Sequence, residues 1–291
     1  MKKYIVYLFI GLLLLFTFAW WKQLYIQNDL AVIKFFPLNQ EALFNKTASS
    51  LTLQIQNKED ESYDVILSTE PVLNQKSYLR QDFSLLFQNG RLKDFTKKWA
   101  QNTEQISQKT TLKAHESSLF QAITIHYAEI HTDNDIPTSS YKLTDSSLFV
   151  IASRYGPTKA FQTPESDVQK EWAFTLSSVS NSRLAKVLDR YTENKNLDMT
   201  MYQAIPLTQF STKGKELLSG YSAEQQLEIT EKLWEALYSI YVSGIKKQDG
   251  TVIDPIDSTI PLILRKQGSN KLIVLIQDKS GNIHEFYQLL P

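Results

Sequence analysis

The 291-residue chain has 31 basic and 31 acidic side chains and no cysteine, which excludes disulfides, thiol nucleophiles, thiolate metal sites and a lipidated amino-terminal cysteine. Lys2, Lys3 and Lys22 supply three of the basic groups, so the rest carries 28 against 31 and lacks the basic excess a nucleic-acid partner demands. Aromatic and hydrophobic shares of 12% and 42% exclude a disordered chain, which would be poor in both.

The chain opens on an apolar run. From Tyr4 to Trp21 no side chain is charged, and as a helix this run spans roughly 27 Å, close to the ~30 Å hydrocarbon core. Tyr4 and Tyr7 at one end and Trp20, Trp21 and Tyr25 at the other are amphipathic rings that favour the headgroup level. They are the expected membrane-interface residues. Lys2, Lys3 and the amino terminus against Lys22 place the short tail in the cytoplasm and the body outside. A signal peptide cut after Ala19 is the rival reading, but the run continues through Trp20 and Trp21 and is longer than an ordinary signal core. The expectation is an uncleaved anchor over residues 1–27, embedded in the lipid bilayer through residues 4–21. Lys, Gln, Asn, Ile and Leu usage suits a bacterial cell-surface protein.

Residues 28–160 read as a first α+β region. Leu30 to Phe36 suggests a strand ended by Pro37, which cannot donate to a ladder. Ser50 to Gln56 alternates apolar and polar residues, the period of a strand with Leu51, Leu53 and Ile55 inward. Asn57 to Glu61 reads as a turn and Tyr63 to Leu67 as the returning partner. Leu79, Phe83, Leu86 and Phe87 then fall at i, i+4, i+7 and i+8, a helical stripe closed by Asn89-Gly90. A second helix is expected from Leu92, Phe95, Trp99 and Ile106. Phe120 to His131 and Leu148 to Ala152 read as strands flanking a polar loop, Thr132 to Ser147. Ser153 to Asp167, with Gly156, Pro157 and Pro164, reads as a linker.

Residues 161–291 read as a second α+β region. Asp167 to Tyr191 is helical, with Trp172, Leu176, Leu184 and Leu188 inward. Thr192 to Gly220 is mostly irregular, with a strand at Met201 to Leu207. The clearest helix covers 223–246: Ser222 and Gln225 have capping-box spacing, and Leu227, Leu233, Trp234, Leu237, Ile240 and Tyr241 form its apolar stripe. Lys246 and Lys247 suit its carboxyl end. Ile260 to Arg265, Lys271 to Gln277 and Ile283 to Leu289 make a three-stranded meander over 260–290, joined by Gly-containing turns.

Candidate chemistry is sparse. His126, Glu129 and His131 cluster, yet on a strand His126 faces away from the other two. Asp133 and Asp135 follow, but Ile136-Pro137 breaks a calcium-loop pattern. His115 and His284 have no partner nearby in sequence. Ser139 and Lys142 match Ser-x-x-Lys without the companion motifs of that chemistry. The carboxylate pairs Glu165 with Asp167 and Asp254 with Asp257 are weighed as glycosidase acids and as solvated turn residues. Trp99, Trp172 and Trp234 are weighed as core and as a ligand groove. No catalytic, metal or cofactor role is assigned to any residue, and no cofactor is expected.

The fold expected is therefore α+β: one transmembrane helix, then an extracytoplasmic body of helices packed on antiparallel hairpins and meanders. The function expected is a non-enzymatic binding, accessory or regulatory component of an envelope complex, with another envelope or membrane protein as partner and no nucleic acid. The alternative is an anchored cell-wall hydrolase that uses carboxylates or the Ser139 and Lys142 pair.

Overall fold

The computed structural model describes residues 33–55, 62–131, 136–153, 156–247 and 249–291. The expected anchor, with Tyr4, Tyr7, Trp20, Trp21 and Tyr25, lies outside them, as does the turn at 57–61. Among the described residues no helix is long and apolar enough to cross a membrane.

Nine strands come first: β1 (Phe44–Lys46), β2 (Ser49–Ile55), β3 (Tyr63–Thr69), β4 (Val72–Gln88), β5 (Arg91–Gln105), β6 (Gln108–Ala114), β7 (Ser118–Ile130), β8 (Thr138–Ile151) and β9 (Lys159–Phe161). Helix α1 (Asp167–Lys195) follows, then β10 (Tyr202–Pro206), α2 (Phe210–Leu217) and α3 (Ala223–Ser243). The chain closes with β11 (Ile245–Lys246), β12 (Val252–Ile253), β13 (Leu262–Lys266), β14 (Lys271–Gln277) and β15 (Ile283–Leu289). The described residues form a mixed α+β fold, built mostly of antiparallel sheets with three α-helices.

A six-stranded sheet, β1-β4-β7-β8-β9 with β5 on β4, is the central layer. Its Phe83, Leu85, Phe87, Ile123, Ile125 and Tyr127 share a core with α1, α2, α3 and the β10-β13-β14-β15 sheet. On its other face Leu86, Phe120, Ala122, Leu148 and Val150 meet Leu51, Tyr63, Val65 and Leu67 of the β2-β3-β6 sheet. Side chains from both sides of residue 160 thus share one apolar core. Trp234 and Tyr238 of α3 pack edge-on against Phe83, with ring centroids 6.5 and 5.0 Å away.

This two-sided burial explains the main correction. The two helices expected between Leu79 and Ile106 are instead the long hairpin β4–β5. A strand covered on both faces loses the period-two signature and reads as a continuous run. Asn89 and Gly90 both have positive φ, 51° and 80°, and form the two-residue hairpin turn that matches strand twist rather than a helix cap. The polar loop expected over 132–147 is, from Thr138 onward, β8, whose hydrogen bonds to β7 hold polar residues in a ladder. Ile33 to Phe36 is not a strand, and the linker contains β9, paired to β8.

The carboxyl-terminal half follows its periodicity more closely. Helix α3 has the reciprocal Ser222 and Gln225 capping box, and β13, β14 and β15 form the meander, extended by β10. Two details differ. Helix α3 stops at Ser243 rather than Lys246, because Gly244 (φ 84°) turns the chain so that Ile245 and Lys246 pair with Val252 and Ile253. Leu227 is exposed rather than inward, and α2 occupies part of a segment expected to be irregular.

Gly90 also abuts α1: a Cβ there would lie 2.8 Å from Ser180 Oγ. Gly90→Ala is expected to lower stability by about 1–3 kcal/mol through left-handed strain, plus the cost of moving Ser180. Gly268→Ala is the control, since Gly268 has φ +72° with nothing within 4 Å. Urea unfolding should show the larger loss at Gly90; equal losses would mean that the contact with α1 is unimportant.

Candidate functional site

The densest chemistry-bearing constellation lies between the central sheet and the β2-β3-β6 sheet. Along β4 the odd residues face the helices, so Arg80, Asp82 and Ser84 face the other way. All three are buried. Asp82 is paired in register with His126 of β7, and its Oδ2 lies 2.8 Å from His126 Nδ1. On the far side of the ring, His126 Nε2 lies 2.8 Å from Thr144 Oγ1, and Thr144 Oγ1 lies 2.5 Å from Ser49 Oγ. A neutral ring that donates from Nδ1 to Asp82 leaves Nε2 to accept from Thr144. The result is a carboxylate, imidazole, hydroxyl and hydroxyl in line, running from the interior to the half-buried Thr144 and Ser49.

Arg80 completes the cluster. Its Nη1 donates to the Tyr127 carbonyl, its guanidinium sits 4.7 Å over the Phe44 ring, and Nη2 lies 3.5 Å from Asp82 Oδ1. Burial lowers the Arg80 pKa to about 10, and the nearby Asp82 charge works in the opposite direction. Arg80 Nε and Nη2 and Asp82 Oδ1 are buried without hydrogen-bond partners. Asp82 therefore compensates the buried Arg80 charge and accepts from His126, and losing it would leave the guanidinium unbalanced and the ring nitrogen without its partner.

The order Asp82, His126, Thr144 has the connectivity of a nucleophile-activating triad. The bonds around it give it a structural task. Thr69 donates to Asp82 Oδ2 at 3.2 Å, Gln108 to Ser84 Oγ at 2.7 Å, and the Leu51 amide to Ser146 Oγ at 3.3 Å. Each of these bonds, like Ser49 to Thr144, joins the β2-β3-β6 sheet to the central sheet. The cluster is a polar seam that fixes one sheet on the other.

The residues singled out in sequence scatter. Glu129 and His131 form an exposed pair, with His131 stacked on Tyr78 at 4.1 Å, and His126 is wholly buried away from them. Asp133 and Asp135 lie outside the described residues. Among the described residues no group of three His, Asp or Glu is placed to hold a metal ion. Ser139 and Lys142 lie three apart on β8, so their side chains leave the strand on opposite faces. Ser139 instead docks the lead-in segment, donating to the Phe36 carbonyl at 2.7 Å and accepting from the Phe36 amide at 3.3 Å. Asp254 caps the Ile256 amide and Asp257 pairs with Lys93, while Asp167 pairs with Lys170. Trp234 is core, Trp172 half-buried and Trp99 exposed.

Two groupings escaped sequence reasoning. His284 bonds Asp278 at 2.9 Å across a turn; burial acts to raise the Asp278 pKa, and bonds from His284 and Asn282 outweigh it and hold the carboxyl low. On α3, burial together with the charges of Glu235 and Glu228 pushes Glu231 up to about 7. The i, i+4 spacing of Glu231 and Glu235 was the available signal. No known protein family matches the chain, and no curated protein or solved structure is similar to it.

Asp82→Ala is expected to cost about 3–5 kcal/mol, the penalty for leaving buried charge uncompensated, whereas Thr69→Val should cost about 1 kcal/mol. Equal losses in urea unfolding would remove the charge from its central place. Glu231, whose pKa is raised on folding, penalises the folded state above pH 7, and the penalty fades as pH falls from 7 toward 4.5. Glu231→Gln should therefore raise the unfolding temperature at pH 8 and leave it nearly unchanged at pH 4.5; a gain of equal size at both would contradict this.

Proposed function

We propose that the chain is a single-pass, membrane-anchored extracytoplasmic protein whose body binds another envelope or membrane protein as an accessory or regulatory component. The observation that carries this reading is the uncharged run from Tyr4 to Trp21, bounded by aromatic residues on both sides. The fastening of the lead-in segment supports it. The Phe35 amide donates to Glu235 of α3 at 3.0 Å, Phe36 is bonded to Ser139, and the Asn39 amide donates to the Ser139 carbonyl at 2.8 Å. Residues 35–39 are thus fastened to both α3 and the central sheet.

A binding role is further supported by where the reactive side chains are spent. Asp82, His126, Ser139, Asp254 and Asp257 each hold another part of the fold. An anchored hydrolase would need a different set, since Ser139 and Lys142 diverge.

Protease treatment of intact cells should digest the body, and the same treatment of lysates should give no further fragments. A body protected in intact cells and cut only in lysates would overturn the topology. Gentle crosslinking before detergent extraction should recover a second envelope protein; recovery of this chain alone would overturn the binding role.

A further inference from the structure

A groove of about 560 Å³ runs beside the second half of α1, and its walls include Arg91, Arg183, Lys186 and Arg190 together with Asp189 and Glu193. We propose that this groove binds a phosphate group, with the four cations holding the phosphate and the two carboxylates accepting from hydroxyls of its carrier. The inference does not depend on where the chain is anchored.

The site is assembled from three separate pieces of chain. The Asn89-Gly90 turn presses on α1 at Ser180, and Arg183, one turn further, donates from Nε to the Asn89 carbonyl at 3.2 Å. That contact sets the first residue of β5, Arg91, beside α1. Arg91 is held in turn by the 257–260 segment: the Leu92 amide donates to Ser258, Ile260 donates to Gly90, and the Arg91 guanidinium donates to the Asp257 carbonyl. Two guanidinium groups are thereby fixed close together by backbone contacts. Burial, and then the like charge of Arg91, hold the Arg183 pKa below its ordinary value. Arg91 already feels the Asp257 carboxylate, but the charge near Arg183 that acts on it is the like charge of Arg91, and a bound anion relieves that repulsion.

Lys186 and Arg190 extend the row from Arg183 along one face of α1, at i+3 and i+7. Asp189 and Glu193 stand three residues after Lys186 and Arg190, a spacing that permits helical ion pairs. Among the described residues neither cation forms an ion pair or hydrogen bond, so both are available to a ligand. Planar guanidinium forks match the tetrahedral oxygens of phosphate in pairs. Because Arg91 and Arg183 are already oriented, little ordering cost opposes binding.

The test uses the full chain in uncharged detergent, titrated calorimetrically with glycerol 1-phosphate and, separately, with dioctanoyl phosphatidylglycerol, with glycerol and dioctanoyl phosphatidylcholine as the respective controls. Lys186→Gln with Arg190→Gln removes two cations that support no other contact, and should weaken binding by about tenfold or more at unchanged unfolding temperature. Glycerol 1-phosphate binding assigns the site to a soluble phosphate ester, and binding of phosphatidylglycerol alone assigns it to a lipid headgroup; either supports the inference if the double variant weakens it. No binding of either phosphate, or binding that the double variant leaves intact, would overturn it.

Discussion

Strand β4 sends Gln81, Phe83, Leu85 and Phe87 toward the helices and Arg80, Asp82, Ser84 and Leu86 toward the β2-β3-β6 sheet, so over residues 79–87 neither face meets water. That constraint dictates the layers around it. Apolar residues on the helix side are covered by α3, whose Tyr238 hydroxyl also accepts from Gln81 at 2.9 Å. Polar residues on the other side are costly to leave unpaired in a dry interior, and the facing sheet brings partners to two of them: Thr69 to Asp82 and Gln108 to Ser84.

Both sides bury apolar side chains, and the β2-β3-β6 side adds a set of polar bonds. The helix side is stabilised by burial of aromatic and aliphatic area, which is non-directional and tolerates repacking. The polar side is directional: it fixes how the β2-β3-β6 sheet sits, because each bond is satisfied in one arrangement only. The buried charges of Arg80 and Asp82, with His126 bonded to the same carboxylate, make that seam sensitive to the loss of a single partner.

How much of this was legible in the sequence depends on how many faces of an element are covered. β2, with one wet face, alternated visibly, as did β15, and the capping residues Ser222 and Gln225 announced α3. β4 carried Leu79, Phe83, Leu86 and Phe87 at helical spacing by coincidence of two buried faces, and Asn89-Gly90 serves hairpins and helix ends alike. The polar seam was hidden because its members come from β2, β3, β4, β6, β7 and β8, and only strand order brings Asp82 opposite His126. The basic groove was hidden likewise, since Arg91 reaches α1 only through the hairpin turn.

The fastening of residues 35 to 39 has a mechanical consequence. Any force that reaches the body through the chain before Ile33 meets the Lys34 carbonyl, then the Phe35 bond to Glu235 and the several bonds around Ser139. These bonds sit on different supports, one on α3 and the others on β8, so a pull is divided between the helical layer and the central sheet. Tyr127 adds a third attachment through its hydroxyl, which donates to the Lys34 carbonyl. A load entering there is thereby divided among α3, β7 and β8.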